Sequence, residues 1–350
     1  MNDEKIFVGS GVRLRARAWT KGLAASKRVA LVSEAGAWLR FGAGVEKGLK
    51  KAGLRVHRHL LPPGEAAKSW DAVEELMTSM LSAGLGRDAA IVALGGGAVT
   101  DAAGFAAAIY QRGMPWVSVP TTLLGQLDSG LGGKTGINLA GGKNLAGAFH
   151  RPVAVVCDPD TLKSLPPRER VSGFGEALKY GLVFDPSLWN LITENWDALM
   201  KGDSALTARV VRSGATWKRK IVARDEYETK GPRELLNFGH TLGHALESAS
   251  GLGVLRHGEA VIWGMRAALR LSVSRAGLSP AVALEADRFL AALPVPVPRR
   301  IEPKRLVELA RQDKKARGGK ARFVLLRALG RPTMVVVDDE IILRVVRELL

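Results

Sequence analysis

Within its first 165 residues the chain switches repeatedly between short apolar runs and amphipathic stretches. RVALVSE reads as a strand and the stretch from about Gly36 to Lys51 as a helix; LRVHRHLL is the next strand, SWDAVEELMTSMLSAG the next helix. DAAIVALGGG then runs apolar into three glycines, followed by the helical AVTDAAGFAAAIY, and WVSVPTT and VAVVCDP supply further strands. Strand–helix–strand alternation predicts a parallel sheet with helices on both faces, a tighter restriction than any other feature of the chain imposes. From about Pro166 the character changes. ERVSGFGEALKYGL, ALTARVVRSGATWKRKIVA, GHALESA, EAVIWGMRAALRLSVSR and AVALEADRFLAAL carry helical periodicity, and strand signal returns only in FVLLRAL and TMVVVDD. The expected fold class is α/β: a Rossmann-like, parallel-sheet nucleotide-binding domain over residues 1–165, then a mainly α-helical domain over residues 166–350. PVPVPRR is a turn or loop too short to be a linker, and no internal repeat is evident.

Several function classes fall away on composition. No apolar run reaches the roughly 20 residues of a membrane span, and MNDEKIFVGS has no apolar core of a secretory signal. The single cysteine, Cys157, excludes an internal disulfide and fits a reducing compartment, so a cytoplasmic location is expected. Within VAVVCDP it reads as a small buried residue rather than a reactive thiol. The formal net charge of +17 comes from 51 Lys+Arg against 34 Asp+Glu. Those basic residues are spread out, densest in KRKIVAR and DKKARGGKAR, and are not interleaved with aromatics. Such an excess can mean nucleic acid or simply anionic small substrates; a generally arginine-rich composition explains most of it, and no nucleic-acid partner is expected.

ALGGGAVTD is a strand that ends in Gly95, Gly96 and Gly97 and opens a helix. A backbone without side chains can approach a pyrophosphate closely, and a helix N-terminus favours an anion. The turn is not G-x-G-x-x-G, however, and a tight turn needs no ligand; Asp101 in the first helical turn can equally be a dipole partner. The following VPTTLLGQLDSGLGGKTGINLAGGKNLAGAF places Thr121, Thr122, Asp128, Lys134, Asn138, Lys143 and Asn144 in a long glycine-rich loop. So many different donors in one segment suit a polar, phosphorylated ligand better than a plain surface loop. GGKT lacks the upstream glycine of a Walker loop.

LLNFGHTLGHALE carries two of the six histidines, His240 and His244, four residues apart and therefore on one helical face. The zinc-protease helix needs a glutamate after the first histidine; Thr241 stands there instead. His257 follows after the break GLG, and Glu176 lies among small residues in GFGEALKYG. A lone histidine more often satisfies a core hydrogen bond. Three histidines and a glutamate, all in glycine-rich helix starts, favour a site, and two histidines plus a carboxylate would make an open catalytic metal centre.

GGGAVTDAAGFAAAIYQRG, VPTTLLGQLDSGLGGKTGIN, GKNLAGAF, LPPRERVSGFGEALKYG, LLNFGHTLGHALE and HGEAV occur in this order. Together they resemble the 3-dehydroquinate synthase family of sugar-phosphate cyclases, from about Arg28 to about Leu326. The resemblance implies that Glu176, His240 and His257 ligate zinc, with cobalt as an alternative ion. His244 would face the substrate phosphate and help to move a proton. NAD would be contacted by Glu34, Glu65, Lys68, Gly96, Gly97, Asp101, Thr121, Thr122, Lys134 and Lys143. Substrate would be held by Asp128, Lys134, Asn144, Lys179, Lys218, Arg233, Asn237, His244 and Lys315, with His244, Lys134, Lys179 and Asn237 in the catalytic group. Arg112 would reach the neighbouring subunit's site, which implies a homodimer. The implied substrate, 3-deoxy-D-arabino-heptulosonate 7-phosphate, has a phosphate and a carboxylate, so cationic side chains are needed at both ends. The implied reaction runs through transient oxidation by NAD, phosphate elimination, reduction, ring opening and an intramolecular aldol closure.

The chain departs from the family pattern at Thr100, where glycine is common, at Gly130, where serine is usual, and at Glu34, in place of a shorter aspartate. INLAGGKN lacks a histidine-proline pair, and DEYETKGPR is one residue longer ahead of Arg233, with Pro232 restraining it. Two rivals remain: a sister cyclase acting on another sugar phosphate, and a metal-dependent polyol dehydrogenase. Lys218, Arg233 and Asn237 together favour a carboxylate-bearing substrate over the first, and the phosphate clamp of Lys134, Asn144 and Arg112 argues against the second.

Overall fold

A computed structural model describes residues 4–140, 142–226, 231–251, 253–298, 301–311 and 321–350. The chain divides into two compact units, residues 1–165 with 202–222 and residues 166–201 with 223–350. The first unit contains β1 (Lys5–Val8), β2 (Arg28–Glu34), β3 (Arg55–Leu61), β4 (Ala90–Gly95), β5 (Trp116–Pro120), β6 (Lys134–Leu139), β7 (Gly142–Phe149) and β8 (Ala154–Cys157). Six of these form one parallel sheet in the order β1-β8-β5-β4-β2-β3. Its central strands are apolar on both faces because both faces are covered. Ala30, Val32, Ile91 and Ala93 face the helices Trp70–Ser82 and Gly97–Ile109, while Val29, Leu31, Val92 and Leu94 face a cluster with Val45 and Leu49 of the helix Ala43–Lys51. Each valine, leucine or isoleucine among them, fully buried, contributes about 1.5–3 kcal/mol.

Two parts of this unit differ from expectation. KIFV, only four residues long, joins the sheet edge beside β8 as β1. The glycine-rich segment read as a loop contains the antiparallel pair of β6, Lys134–Leu139, and β7, Gly142–Phe149. Its glycines serve close backbone contact: a Cβ on Gly147 would lie 2.2 Å from the Thr135 carbonyl oxygen.

Residues 202–222, most of the helix Ser204–Arg224, return to the first unit, so the division is not the single boundary at Pro166 that the change of pattern implies. Physical ties explain the return. Arg212 Nη2 donates to the Val8 carbonyl at 3.2 Å, Ser204 Oγ to Asp160 at 3.2 Å, and Val222 sits against Gly132.

The second unit holds the helices Pro167–Val183, His240–Ser250, His257–Ala276, Pro280–Ala292, Pro303–Arg311 and Asp339–Leu349, with one antiparallel pair, β9 (Arg322–Ala328) and β10 (Arg331–Val336). No described helix is long and apolar enough to cross a membrane. The helices meet through glycine. A Cβ on Gly264 would fall 1.8 Å from the Gly239 carbonyl oxygen, and Gly239 itself has φ +79. Gly264→Ala is therefore expected to lower stability by about 3 kcal/mol or more, the upper end for overpacking, read as a lower urea midpoint. Gly9→Ala, where nothing lies within 4 Å of the added carbon, is expected to stay within about 0.5 kcal/mol of the parent.

Candidate active site

Three helices of the second unit each contribute one member of a triad in which Glu176 and His240 are buried and His257 is half-buried. Glu176 is fully buried, with Oε1 3.4 Å from His240 Nε2 and 3.3 Å from His257 Nε2. The three donor atoms lie within 4.8 Å of one another, close enough to share one ion. Neither Glu176 oxygen has a partner in hydrogen-bond geometry, although Lys179 Nζ forms an ion pair with Oε2. A buried carboxylate oxygen without a donor is costly, and a cation would satisfy it.

The outer ring nitrogens are already engaged. His240 Nδ1 meets the Phe238 carbonyl at 3.1 Å, and His257 Nδ1 meets Glu247 Oε2 at 3.2 Å. These acceptors place a proton on each Nδ1 and leave Nε2 turned toward Glu176, the arrangement a metal-ligating histidine needs. Burial, with the Lys179 ammonium nearby, pushes His240 down to about 3. Burial also works downward on His257, but the neighbouring Glu176 and Glu247 carboxylates outweigh it and lift the ring to about 10. For Glu176 burial works upward, and Lys179 and the two imidazoles overcome it, holding the carboxyl well below its usual range. The triad thus keeps an anion at its centre and favours a second proton, on Nε2, for the His257 ring, the proton that a bound cation would displace.

His244, Glu247 and His257 form a second close group. There His257 would have to offer Nδ1, so two ions would need both nitrogens of one ring deprotonated. Glu247 is better suited to orient His257. His244 is exposed, its ring 5.3 Å from that of His240 and 6.0 Å from that of His257.

In the first unit, polar groups collect beyond the C-terminal ends of the parallel strands. Strand order reverses between β2 and β4, the position where sheets of this class bind nucleotides. Gly96 and Gly97 follow β4, and the helix Gly97–Ile109 begins without a side-chain cap, which leaves its first N–H groups for an anion. Lys68 Nζ donates to Asp101 Oδ2 at 2.6 Å and also bonds Asn144 Oδ1. Asn144 N donates to Asn138 Oδ1 at 2.9 Å, and Asn138 Nδ2 to Glu65 Oε2 at 2.7 Å. Burial raises Asp101 to about 6 against the pull of Lys68. One network therefore joins Glu65, Lys68, Asp101 and Asn144.

Thr121 and Thr122 follow β5, where Thr122 Oγ1 accepts the Gly125 N–H at 3.1 Å. Glu34 ends β2 and accepts the N–H groups of Gly36 and Ala37, both at 2.8 Å. Asp128 pairs with Lys218 of the helix Ser204–Arg224, and Lys134 and Lys143 are exposed on the hairpin. Gln111, Arg112 and Gly113 have successive φ values of 48, 67 and 110, so the exposed Arg112 is presented by a strained turn.

In the second unit Arg233 is buried, with Nη1 donating to the Glu226 carbonyl at 2.5 Å and its backbone N–H to Asp225 Oδ2 at 3.4 Å. Glu226 thus engages the guanidinium. Asn237 Nδ2 donates to the Glu234 carbonyl at 2.9 Å. Lys315 lies outside the described residues.

Residues 58–172 match the family described as 3-dehydroquinate synthase N-terminal, and residues 173–316 the family described as 3-dehydroquinate synthase C-terminal. A 3-dehydroquinate synthase of Rhodospirillum rubrum is 44% identical over 336 residues, covering 93% of this chain and 86% of that protein. The chain belongs to the 3-dehydroquinate synthase family. It is accordingly an enzyme. Two solved structures of sugar-phosphate cyclases are also similar along almost their whole length. One is 2-deoxy-scyllo-inosose synthase complexed with carbaglucose-6-phosphate, NAD+ and Co2+, at 25% identity and TM-score 0.87, covering 98% of this chain and 96% of that one. The other is 2-epi-5-epi-valiolone synthase from Streptomyces hygroscopicus subsp. jinggangensis 5008 with NAD+ and Zn2+ bound, at 29% identity and TM-score 0.87, covering 99% and 96%.

Two departures from the family pattern have local reasons. A Cβ at Gly130 would lie 2.6 Å from the Gly125 carbonyl oxygen, so this turn excludes serine. Buried Thr100 returns its hydroxyl to the Gly97 carbonyl at 3.0 Å. Sequence reasoning missed Glu247. Its signal was spacing, since residues 240, 244 and 247 share one helical face. Glu247→Gln is expected to weaken metal binding about 10- to 100-fold with the fold intact. His257→Ala is expected to lose the metal, whereas His244→Ala keeps it and loses most activity. Metal content after dialysis, measured beside turnover, checks all three.

Proposed function

We propose that the chain converts 3-deoxy-D-arabino-heptulosonate 7-phosphate to 3-dehydroquinate and phosphate, a step of the shikimate pathway, using NAD and a divalent ion. The observation that carries this reading is the triad of Glu176, His240 and His257 in a chain 44% identical to a 3-dehydroquinate synthase. The cyclase structures bind NAD+ with Co2+ or Zn2+, and two imidazoles with one carboxylate suit either ion. Glu176, His240 and His257 would hold the ion, and NAD would lie over the glycine turn among Glu34, Glu65, Lys68, Asp101, Thr121, Thr122 and Lys143. Bound there, the ion would acidify a substrate hydroxyl and NAD would take up a hydride and return it, leaving no net oxidation.

The chain's own side chains bind and orient. Lys134, Asn144 and His244 hold the phosphate, and His244, exposed beside the triad, moves a proton there. Lys218, Arg233 and Asn237 serve the carboxylate, Asp128 fixes Lys218 by their ion pair, and Lys315 adds a further positive charge. Lys179, buried against Glu176, keeps that carboxylate ionised. Arg112 completes the site of a second subunit in a homodimer, a role that its strained, exposed turn suits. A cytoplasmic location fits the one buried cysteine.

Phosphate and dehydroquinate are expected to form in equal amounts, without accumulation of NADH, and to cease when a chelator removes the metal. NADH appearing without phosphate would instead mark a polyol dehydrogenase. Mixing inactive Arg112→Ala with inactive Glu176→Ala is expected to restore about a quarter of parent activity, since half of freely exchanged dimers are hybrids with one intact site of two. No recovery despite demonstrated exchange would remove Arg112 from a shared site.

A further inference from the structure

The helices that carry Glu176 and His257 are clasped near their N-terminal ends by charges outside the triad. Arg168, in the first turn of Pro167–Val183, donates from Nε to Glu259 Oε1 at 2.6 Å and from Nη2 to Glu259 Oε2 at 2.8 Å. Nη2 also donates to the Val254 carbonyl at 2.6 Å. Glu259 is fully buried, and its Oε2 accepts the Arg256 N–H at 2.7 Å. A second pair crosses the other way, Arg256 Nε to Glu169 Oε1 at 2.8 Å.

The two pairs are not equivalent. Arg256 and Glu169 are both substantially exposed, and such pairs contribute little. Arg168 and Glu259 form a two-pronged, charge-assisted contact to a carboxylate removed from water, the stronger and more directional kind. Glu259 is the third residue of the helix that His257 opens, and its bond to the N–H just ahead of His257 sets how the chain enters that helix. On the other side of His257, Gly258 N donates to Ser172 Oγ at 3.0 Å, again on the Glu176 helix. His257 is held between two anchored neighbours.

We propose that Arg168 and Glu259 are positioning residues for the metal centre, and that their clasp holds His257 Nε2 at the separation from Glu176 Oε1 that one ion requires. The inference rests on the triad being the metal site. Coordination tolerates displacements of only about 0.2 Å, so a loosened helix entry is felt in affinity before it is felt in fold. Arg168→Lys keeps the charge and loses the fork. Glu259→Gln loses the charge and keeps an oxygen for the Arg256 N–H. Arg256→Ala removes only the outer pair.

The test uses the full chain loaded with Co2+, its visible absorption bands, and its affinity by chelator competition well below the unfolding midpoint. Arg168→Lys is expected to weaken Co2+ binding about tenfold and to alter the bands, while Arg256→Ala stays within about twofold of the parent. Glu259→Gln is expected to follow Arg168→Lys. Parent affinity and unaltered bands in a folded Arg168→Lys would overturn the proposal, even if that variant melted earlier. Should Arg168→Lys not fold, Glu259→Gln decides by the same criteria; failure of both to fold would make the clasp a requirement of folding and likewise overturn it. Parent-like Co2+ binding in His257→Ala would instead sink the metal reading itself.

Discussion

Backbone contact between helices is the constraint from which the second unit follows. A Cβ on Gly258 would fall 1.7 Å from the Ser172 carbonyl oxygen, one on Gly175 2.6 Å from that of Gly258, and one on Gly264 1.8 Å from that of Gly239. Helices separated by ordinary side chains keep their axes about 8–10 Å apart. Glycine permits a closer approach, and at each contact a glycine adjoins a triad member: Gly175 beside Glu176, Gly239 beside His240, Gly258 beside His257. Side chains projecting from three such helices can converge without long reach, which is why the donor atoms gather within 4.8 Å. Packing and site are one arrangement here, and a change to either is felt in both.

A different constraint governs the first unit. Because its sheet is covered on both faces, the strand interiors admit almost nothing polar, and ligand-type side chains accumulate where the strands end. Glu34 closes β2, the glycine turn closes β4, and Thr121 and Thr122 follow β5. The hairpin then supplies Asn138 and Asn144 to a network with Lys68 that strand ends alone could not build. Asn144 adopts φ +57, a left-handed conformation that asparagine tolerates better than most residues, and its backbone N–H is tied to Asn138.

The central strands and most helices were legible because their periodicity is long and uniform. Where the reading failed, a short range or a distant contact decided the outcome. β1 is four residues, too few to show alternation, and exists because β8 offers it an edge. The hairpin was hidden by glycines that look like flexibility yet allow two backbones to touch. The return of residues 202–222 to the first unit depends on partners such as Val8 and Asp160, far away in sequence. Within the site, the triad could be read from glycine-flanked histidines and the family resemblance. Glu247 and Arg168 meet their partners, His257 and Glu259, on another helix.

The placement of Lys179 gives the triad its chemical character. Its ammonium pairs with Oε2 of Glu176, while both imidazoles face Oε1. A carboxylate free at both oxygens can grip an ion with two atoms and take up an extra position. With Oε2 held by an ammonium, Glu176 would offer one oxygen to an ion shared by the triad. Lys179 also draws electron density from the carboxylate, so Glu176 neutralises an ion less completely than an unpaired anion would. Both effects would suit an ion that keeps positions open and charge to spare. Adjacent hydroxyls of a polyol can use both.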